Sequence, residues 1–417
     1  MLKVTVFSGG RGSNSLVKEL IKDDTIKLSL IVNAYDDGKS TGQIRTFFNM
    51  LGPSDIRKNQ ENLMTDNFKN YKIWSSIFKY RFSNSVKHDQ CISMLNEFVK
   101  GKRTKIGDVE MQEDELIDLI RKLLSQFLIS LAIYEKVLEK EFDFSDCSLS
   151  NCLYAGAYEL LDKSFTKTID LFNILLHVHG EVIPTNLENK KLMGIRENGD
   201  ICYNEAEIVE LRSSVRIKDI YLVDEYLDKK IVEQNFKSVE SKRNYLTRIQ
   251  SYVHGTEAAL AAIKDADIII YAPGTQHSSL YPSYMTLGIP EAIFSNTKAL
   301  KTFICNIGED YETPGYTASE FLKSAYKYMT RNTKMNMPIS ELIDVALVNT
   351  SRSKKKEDIR YVENDFSVLD KLPLSVVYDN FESDDLGKHN AVKVVDTIKT
   401  IYYEKFLRSL SYDFKVE

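Results

Sequence analysis

The sequence predicts an α/β fold: a Rossmann-like parallel sheet with helices on both faces, a small antiparallel β segment and a helical insertion. Residues 1–33 follow the order strand, glycine turn, helix, strand, and both strands are apolar runs of the kind that parallel sheets bury. Residues 174–217 alternate in the manner of β-strands, beginning at 174–178, around an Asn198-Gly199 turn that favours a hairpin. Residues 84–142 instead carry a helical periodicity.

Length and composition describe an ordinary globular protein. The 417 residues are 43% hydrophobic and 28% charged, with a net charge of −5. We expect a single domain over residues 1–417, in which residues 335–417 form a C-terminal α/β extension. The acidic balance argues against a nucleic-acid partner, and no apolar run approaches the roughly 20 residues of a membrane span. The five cysteines form no C-x-x-C pair, so we expect a cytoplasmic protein without disulfides or structural zinc.

The first strand ends at a glycine-rich turn, residues 8–14 (SGGRGSN). A strand, a glycine turn and a helix in this order present backbone N–H groups to a phosphate, and glycines let the backbone approach a ligand closely. Arg11 lies inside the turn, where a guanidinium suits a phosphate. Gly10 and Gly12 match the start of the G-x-G-x-x-G pattern, but Ser15 replaces its last glycine. A tight turn without a ligand therefore stays open as an alternative.

The second strand ends at a polar turn, residues 33–42 (NAYDDGKSTG). Because parallel strands bring their carboxyl ends to one edge, this turn should lie beside the glycine turn. Asp36 and Asp37 are suited to Mg²⁺, a hard cation that prefers oxygen ligands, and Asp55 is a third candidate carboxylate. Alternatives exist for each. Asp-Asp-Gly is a common turn, Ser54 or Asp55 would cap a helix, and Asp36 would bind a ribose in a dinucleotide site.

Three cations and a second loop extend this candidate site. The polar turn contains one of these cations, Lys39, and the other two, Arg45 and Arg57, come after it. All three suit phosphate binding, although isolated cations are more often surface charges. Residues 267–271 form an apolar strand that runs into residues 273–275 (PGT), which we interpret as a second phosphate loop at the same sheet edge.

The remaining segments are assigned from periodicity and turn residues. Residues 113–141 predict one long helix, whose apolar stripe packs on its own domain or, alternatively, on a second subunit. Residues 148–151 lead into another helix, and residues 302–307 form a further strand. The tail alternates helix and strand around a charged, exposed loop at 351–358.

Several separated blocks resemble the family that contains 2-phospho-L-lactate transferase (CofD) and the gluconeogenesis factor YvcK. Residues 8–12 resemble its Gly-Gly-Thr-Gly turn, residues 34–42 its Ala-Asp-Asp-Gly-Gly-Ser-Ser-Gly block and residues 53–57 its Pro-Gly-Asp-Ile-Arg block. Four later blocks, at residues 148–151, 273–275, 304–307 and 315–319, resemble its Ser-Leu-Gly-Asn, Gly-Pro-Gly-Ser, Ile-Cys-Asn and Gly-Tyr-Thr-Ala-Ser motifs.

This resemblance implies a Rossmann-like protein that binds a nucleotide-linked ligand at the strand ends. In the transferase branch, the enzyme moves a phospholactyl group from a GDP-linked donor to a deazaflavin alcohol with Mg²⁺. The YvcK branch binds UDP-sugars and supports cell-wall and carbon metabolism, and residues 34–42 and 53–57 lie closer to that branch. Arg11 and Lys39 replace a Thr and a Gly of the family's blocks, and the added charge suits a more phosphorylated ligand.

We therefore expect a protein that binds a nucleotide or nucleotide-sugar diphosphate with Mg²⁺, with transfer of a phosphoryl-linked group as its activity. The alternatives are a non-catalytic regulator that senses UDP-sugars, with a homo-oligomer formed through the helices of 84–142, and, more weakly, an NAD-dependent oxidoreductase. The expected metal ligands are Asp36 and Asp37, which share the catalytic role with Asp55. The expected nucleotide and phosphate contacts are Ser8, Gly9, Gly10, Arg11, Gly12, Ser13, Asn14, Lys39, Ser40, Thr41, Arg45, Arg57, Ser148, Asn151, Pro273, Gly274, Thr275 and Asn306.

Overall fold

A seven-stranded parallel sheet forms the centre of the computed structural model. The structure describes residues 1–65, 67–111, 114–351 and 359–413, and side chains as far as residue 407. The strands are β1 (Leu2–Phe7), β2 (Ile26–Val32), β3 (Lys105–Ile106), β4 (Val109–Glu110), β5 (Glu181–Pro184), β6 (Lys191–Arg196), β7 (Ile201–Cys202), β8 (Ile217–Val223), β9 (Ile268–Tyr271), β10 (Leu300–Ile304), β11 (Val345–Asn349) and β12 (Ser375–Asp379). The order in the main sheet is β12-β11-β10-β9-β1-β2-β5, with every neighbouring pair parallel, which confirms the predicted class.

Helices cover the sheet and form the insertion. They are α1 (Asn14–Leu20), α2 (Lys39–Phe48), α3 (Ser54–Asn62), α4 (Tyr71–Lys79), α5 (His88–Val99), α6 (Glu115–Leu138), α7 (Leu149–Leu160), α8 (Phe165–Leu175), α9 (Glu205–Glu210), α10 (Lys229–Asn235), α11 (Val239–Ile249), α12 (Glu257–Asp265), α13 (Tyr281–Tyr284), α14 (Ile289–Ser295), α15 (Ala318–Thr330), α16 (Ile339–Leu342), α17 (Phe366–Leu369) and α18 (Ala391–Asp413). A π-helical turn at Gln276–Leu280 follows β9.

The central strands are buried because both sheet faces are covered. In β1, Val4, Val6 and Phe7 are all buried, as the near-continuous apolar run predicts. The last helix, α18, packs against α1, and the ion pair between Lys399 Nζ and Asp23 Oδ2 (2.5 Å) joins the two ends of the chain. The alternation of helix and strand predicted for the tail is confirmed by α16, β11, α17, β12 and α18.

A second, antiparallel sheet has the order β7-β6-β8 and a small core of its own. The Asn198-Gly199 turn joins β6 to β7, so the predicted hairpin is confirmed. The expected strand at 174–178 is wrong, because Ile174 lies in α8 and Val178 makes only an isolated bridge to Met64. The same alternating stretch, residues 174–217, also contains β5, which pairs in parallel with β2 at the edge of the main sheet instead of joining the antiparallel segment.

The segment 84–142 contains α5, a two-stranded β3–β4 hairpin and α6. The predicted long helix is confirmed as α6, although Glu113 lies outside the described residues. Its apolar stripe packs against α7 of the same chain, where a Cβ on Gly156 would lie 2.0 Å from Leu123 O. The interpretation that the stripe packs on its own domain is therefore confirmed.

Two further expectations concern loops and membranes. The helix α3 begins at Ser54 with Pro53 as its N-cap, so the interpretation of Ser54 or Asp55 as the cap is wrong. The predicted exposed loop at 351–358 lies, except for Ser351, outside the described residues.

Among the helices that the structure describes, none is long and apolar enough to cross a membrane.

Candidate functional site

The carboxyl ends of β2, β1, β9 and β10 open into one cleft of ≈ 1090 Å³. This is the edge at which open parallel sheets bind their ligands. The cleft brings together ten of the residues expected from the sequence, which are Gly10, Arg11, Gly12, Asn14, Asp36, Asp55, Pro273, Gly274, Thr275 and Asn306. The other lining residues were not expected from the sequence, and they are Ser15, Gly38, Lys58, Glu205, Ala206, Val209, Glu210, Ser278, Ile307, Gly308, Asp310, Gly387, Lys388 and His389.

The two predicted phosphate loops touch each other across the cleft. A Cβ on Gly12 would lie 2.5 Å from both Gly274 Cα and Pro273 O. Gly274 itself has a φ of +142°, a conformation that residues with a side chain rarely adopt. Asn306 fixes the second loop, since its amide accepts a bond from Gly274 N and donates one to Gly274 O, each of 3.0 Å. Glycine is therefore required at position 12 by the contact between the loops.

A buried network beneath the glycine turn holds its shape. Ser8 Oγ lies 2.6 Å from Ser13 Oγ and donates to Asn59 Oδ1 (2.7 Å). Asn59 Nδ2 donates in turn to Gly9 O (2.8 Å). Ser8, Ser13 and Gly9 are thus outside the cleft lining, and the structure places them as supports of the turn.

An acidic wall lies next to the glycine turn. A Cβ on Gly10 would lie 2.7 Å from Asp55 Oδ1, so the turn passes directly over this carboxylate. Lys58 Nζ, one helical turn later, donates to the same oxygen (2.9 Å), and Asp55 is the main reason why the pKa of Lys58 is raised. Asp36 Oδ1 accepts a bond from Gly38 N (3.0 Å), which holds this carboxylate at the cleft.

Asp37 points away from Asp36, into a buried pocket on the other side of the loop. Its carboxylate accepts a bond from Tyr226 Oη and lies 3.6 Å from Arg45 Nη1. Burial, together with Arg45, lowers the pKa of the nearby Lys191 to about 8. Arg45 also donates to Tyr35 O (3.0 Å), so this pair braces the loop that carries Asp36.

The other residues expected from the sequence lie beneath the cleft or outside it. Ser40 Oγ accepts bonds from Ser148 N (3.1 Å) and Asn151 Nδ2 (2.9 Å). Arg57 Nε donates to Asn151 Oδ1 (2.9 Å), and burial lowers the pKa of this guanidinium. Thr41 Oγ1 is hydrogen bonded to the hydroxyl of Ser54, and Lys39 is exposed outside the lining. These residues form a polar layer that joins α2, α3 and α7 behind the cleft.

Two buried acids lie at the cleft, Glu205 in its lining and Glu312 behind the lining residue Ser278. Glu205, the first residue of α9, accepts a bond from Asp37 N (3.0 Å), and burial, reinforced by Asp36, raises its pKa. Glu312 accepts bonds from His277 N (2.8 Å) and Ser278 N (3.0 Å) at the π-helical turn. Burial is also the main cause that raises the pKa of Glu312 to about 8. Because these acids come from elements far apart in the chain, no local motif reveals them.

The carboxylates at the cleft fit a divalent cation that shares its coordination with a ligand. Within the described residues, no group of three or more His, Cys, Asp or Glu side chains is arranged to hold a metal. Asp36 and Asp55 both line the cleft, whereas Asp37 is turned toward Arg45. Mg²⁺ is usually held by one or two carboxylates, with waters and substrate phosphates completing its octahedron. Asp36 and Asp55 are therefore the pair that fits this ion.

The fold and cleft define an α/β protein of the open parallel-sheet class, with a polar ligand cleft at the strand ends. The family model described as 2-phospho-L-lactate transferase CofD matches residues 4–382. The chain therefore belongs to the CofD family.

Individual relatives cover nearly the whole chain. The gluconeogenesis factor of Listeria innocua is 25% identical, over 95% of this chain and 94% of its own length. The gluconeogenesis factor of Halalkalibacterium halodurans is also 25% identical, over 95% of each protein. A crystal structure of a UPF0052-family protein from Bacillus halodurans matches with a TM-score of 0.65 and 24% identity, over 95% of this chain and 99% of that one. This last likeness shows the shared fold.

Proposed function

We propose that the cleft binds the diphosphate of a nucleotide or nucleotide sugar together with Mg²⁺. The contact between the two glycine loops carries this proposal. Gly12 and Gly274 meet backbone to backbone, so the two loops form one wall of the cleft without side chains between them. Such exposed backbone beside glycines is how α/β proteins approach a phosphate. Arg11, which is exposed inside the first loop, adds a cation at the same place.

Mg²⁺ is part of the proposal because the cleft has carboxylates where the diphosphate would lie. Asp55 lies directly under Gly10, and Asp36 lines the neighbouring wall. Carboxylates next to phosphates repel each other unless a cation lies between them. Asp36 and Asp55 would hold the ion, which would neutralise charge on the diphosphate oxygens when bound. Lys58, which is paired with Asp55, and Arg11 supply compensating charges from the protein, and the ion would add to them.

The length of the cleft leaves room for more than the diphosphate. It follows four neighbouring strand ends, those of β2, β1, β9 and β10. Strands lie about 4.8 Å apart, so three spacings give a cleft of about 14 Å across the strand ends. The glycine loops after β1 and β9 lie in its middle, with unoccupied length on either side for a nucleoside and for a second group. A ligand with two parts joined by a diphosphate fits this layout.

Two activities are compatible with such a ligand, and both derive from the relatives. The family's description as a transferase supports transfer of a phosphoryl-linked group. The relatives described as gluconeogenesis factors favour the alternative of a regulator, which in our proposal senses UDP-sugars without turnover. The two differ in one observable. A transferase moves the distal phosphoryl-linked group to the oxygen of an acceptor hydroxyl or of water, which loses its proton, and releases a nucleoside monophosphate, whereas a sensor leaves the diphosphate intact.

A thermal-shift titration tests the binding proposal. The full chain is titrated with UDP-sugars, GDP and GTP, each with and without Mg²⁺. We expect at least one of these ligands to raise the melting temperature, with a larger rise when Mg²⁺ is present, because binding to the folded state stabilises it. Asp55→Asn, which keeps the shape but removes the charge, should lose the Mg²⁺-dependent part. Asp384→Asn, an exposed change outside the cleft lining, is the matched control. If no ligand shifts the melting temperature, the proposal fails.

The same samples separate the two activities. After incubation with Mg²⁺, chromatography of the nucleotide shows whether the monophosphate has been released. Release that disappears in Asp55→Asn supports the transferase. Tight binding with an intact diphosphate and no release supports the sensor.

A homodimer through α6 is a second proposal, supported by an exposed apolar stripe. Ile129, Ile133 and Val137 lie at successive helical turns and are 55%, 54% and 72% exposed. The opposite face of α6 already packs on α7, so the exposed stripe is available to a second copy. We expect a dimer in light scattering that Ile133→Glu converts to a monomer with unchanged ligand binding. A wild-type monomer at all accessible concentrations would refute this proposal.

A further inference from the structure

The wall of the cleft at β10 contains a histidine that the sequence motifs do not reveal. His389 lies in the loop between β12 and α18, which lines the cleft with Gly387, Lys388 and His389. This loop lies beyond residue 382, where the match to the family model ends. It approaches the segment after β10, since a Cβ on Gly308 would lie 4.0 Å from Gly387 O. The C-terminal part of the chain thus closes one end of the cleft.

The hydrogen bond that His389 makes fixes the chemistry of its ring. Its Nε2 lies 3.1 Å from Cys305 O, at the carboxyl end of β10. A carbonyl oxygen can only accept, so Nε2 carries the proton and donates. In a neutral imidazole, Nδ1 is then an unprotonated acceptor. Burial lowers the pKa of His389 to about 4, which keeps the ring neutral near pH 7.

At this wall, Nδ1 is an acceptor to which no described residue donates a hydrogen bond. The neighbouring acceptors are at least partly occupied. Asn306 Oδ1 accepts from Gly274 N, and Asp310 Oδ2 accepts from Asn306 Nδ2 (3.3 Å). Asp310 Oδ1 already accepts bonds from Thr313 N (3.0 Å) and Thr313 Oγ1 (2.9 Å).

We propose that His389 Nδ1 accepts a hydrogen bond from the nucleoside part of the bound ligand and so favours a nucleoside diphosphate over a diphosphate alone. The inference rests on the proposed function, because it assumes that the diphosphate lies against the joined glycine loops. From there, the β10 wall is one to two strand spacings away, about 5–10 Å, so a group attached to the diphosphate reaches it. The group that binds is a donor, either an N–H of the base or a hydroxyl of the ribose.

Calorimetry with the full chain and Mg²⁺ tests this inference. Wild type, His389→Ala and the control Asp384→Ala are titrated with UDP, GDP and inorganic pyrophosphate. We expect His389→Ala to weaken the binding of the preferred nucleoside diphosphate about threefold to tenfold, which is the range for the loss of one hydrogen bond. The affinity for pyrophosphate should stay unchanged. Base N-methylated and 2′-deoxy analogues then identify the donor, since the analogue that lacks it should bind wild type and His389→Ala equally.

The outcomes separate this inference from the proposed function. If wild type binds no nucleoside diphosphate, both fail. If wild type binds one and His389→Ala binds it equally well, or loses pyrophosphate binding to the same extent, only the role of His389 is wrong.

A second measurement avoids the risk that His389→Ala disturbs the loop. In protein labelled with ¹⁵N-histidine, the nucleotide should shift the Nδ1 resonance of His389, and pyrophosphate should not. An unchanged Nδ1 resonance at saturating nucleotide would overturn the inference.

Discussion

Gly12→Ala tests the contact between the two glycine loops. The added Cβ would lie 2.5 Å from Gly274 Cα, 2.5 Å from Pro273 O and 3.1 Å from Gly274 N. Carbon atoms pack at about 3.5–4.0 Å, so one loop must move by about 1 Å, and all three neighbours are backbone atoms that cannot rotate away. Overpacking of this kind costs about 1–3 kcal/mol. We expect that loss in the free energy of unfolding, together with weaker nucleotide binding because the loops no longer form one wall.

The assay is urea denaturation followed through the fluorescence of Trp74, which is the single tryptophan and is buried. Gly308→Ala is the matched control on the same cleft. Its Cβ would lie 3.7 Å from the nearest atom, in ordinary contact, so stability should change by less than about 0.5 kcal/mol. Equal stability and equal nucleotide affinity in Gly12→Ala and wild type would refute the argument that the loops touch.

Three further predictions concern the buried polar groups around the cleft. The raised pKa of Glu312 favours its protonated form in the folded protein, so its contribution to stability is full below pH 4.5 and is lost as the pH rises through about 8. Glu312→Gln should therefore flatten the pH dependence of the free energy of unfolding, measured by urea denaturation, by up to about 1.4 kcal/mol per pH unit in this window. Parallel curves for the variant and wild type would contradict this. Arg45→Met leaves the buried Asp37 carboxylate without its cation and should lower the free energy of unfolding by about 3–5 kcal/mol in denaturation experiments. A decrease below about 1 kcal/mol would show that the pair does not stabilise the fold. Asn59→Ala removes the donor to Gly9 O and should lower the free energy of unfolding by about 1–3 kcal/mol. An unchanged free energy of unfolding would contradict the role of the network beneath the turn.

The parts of the fold predicted correctly are those set by local sequence. The run from β1 through the glycine turn to α1 follows from the residues themselves, as does the hairpin at Asn198-Gly199. The strand expected at 174–178 is wrong because Ile174 continues the helical pattern of α8, and short apolar runs do not distinguish helix from strand.

The cleft was predictable only in part, because a linear motif does not show which way a side chain points. Asp36 and Asp37 are adjacent in the chain, but Asp36 lines the cleft whereas Asp37 contacts Arg45 and Tyr226. Lys58, Glu205 and His389 reach the cleft through tertiary packing of α3, the second sheet and the C-terminal loop. Of these three residues, only Lys58 could have been predicted from the local sequence, because it follows Asp55 by three residues on one helix and the two side chains therefore lie next to each other.

A ligand-bound crystal structure is the measurement that tests the central claim most directly. The protein is crystallised with the nucleotide that binds best and with Mn²⁺ in place of Mg²⁺, so that anomalous scattering locates the ion. Our account predicts the diphosphate against the wall that residues 10–12 and residues 273–275 form together, with the ion bound by Asp36 and Asp55. A nucleotide bound elsewhere, or an ion without contact to either carboxylate, would contradict it.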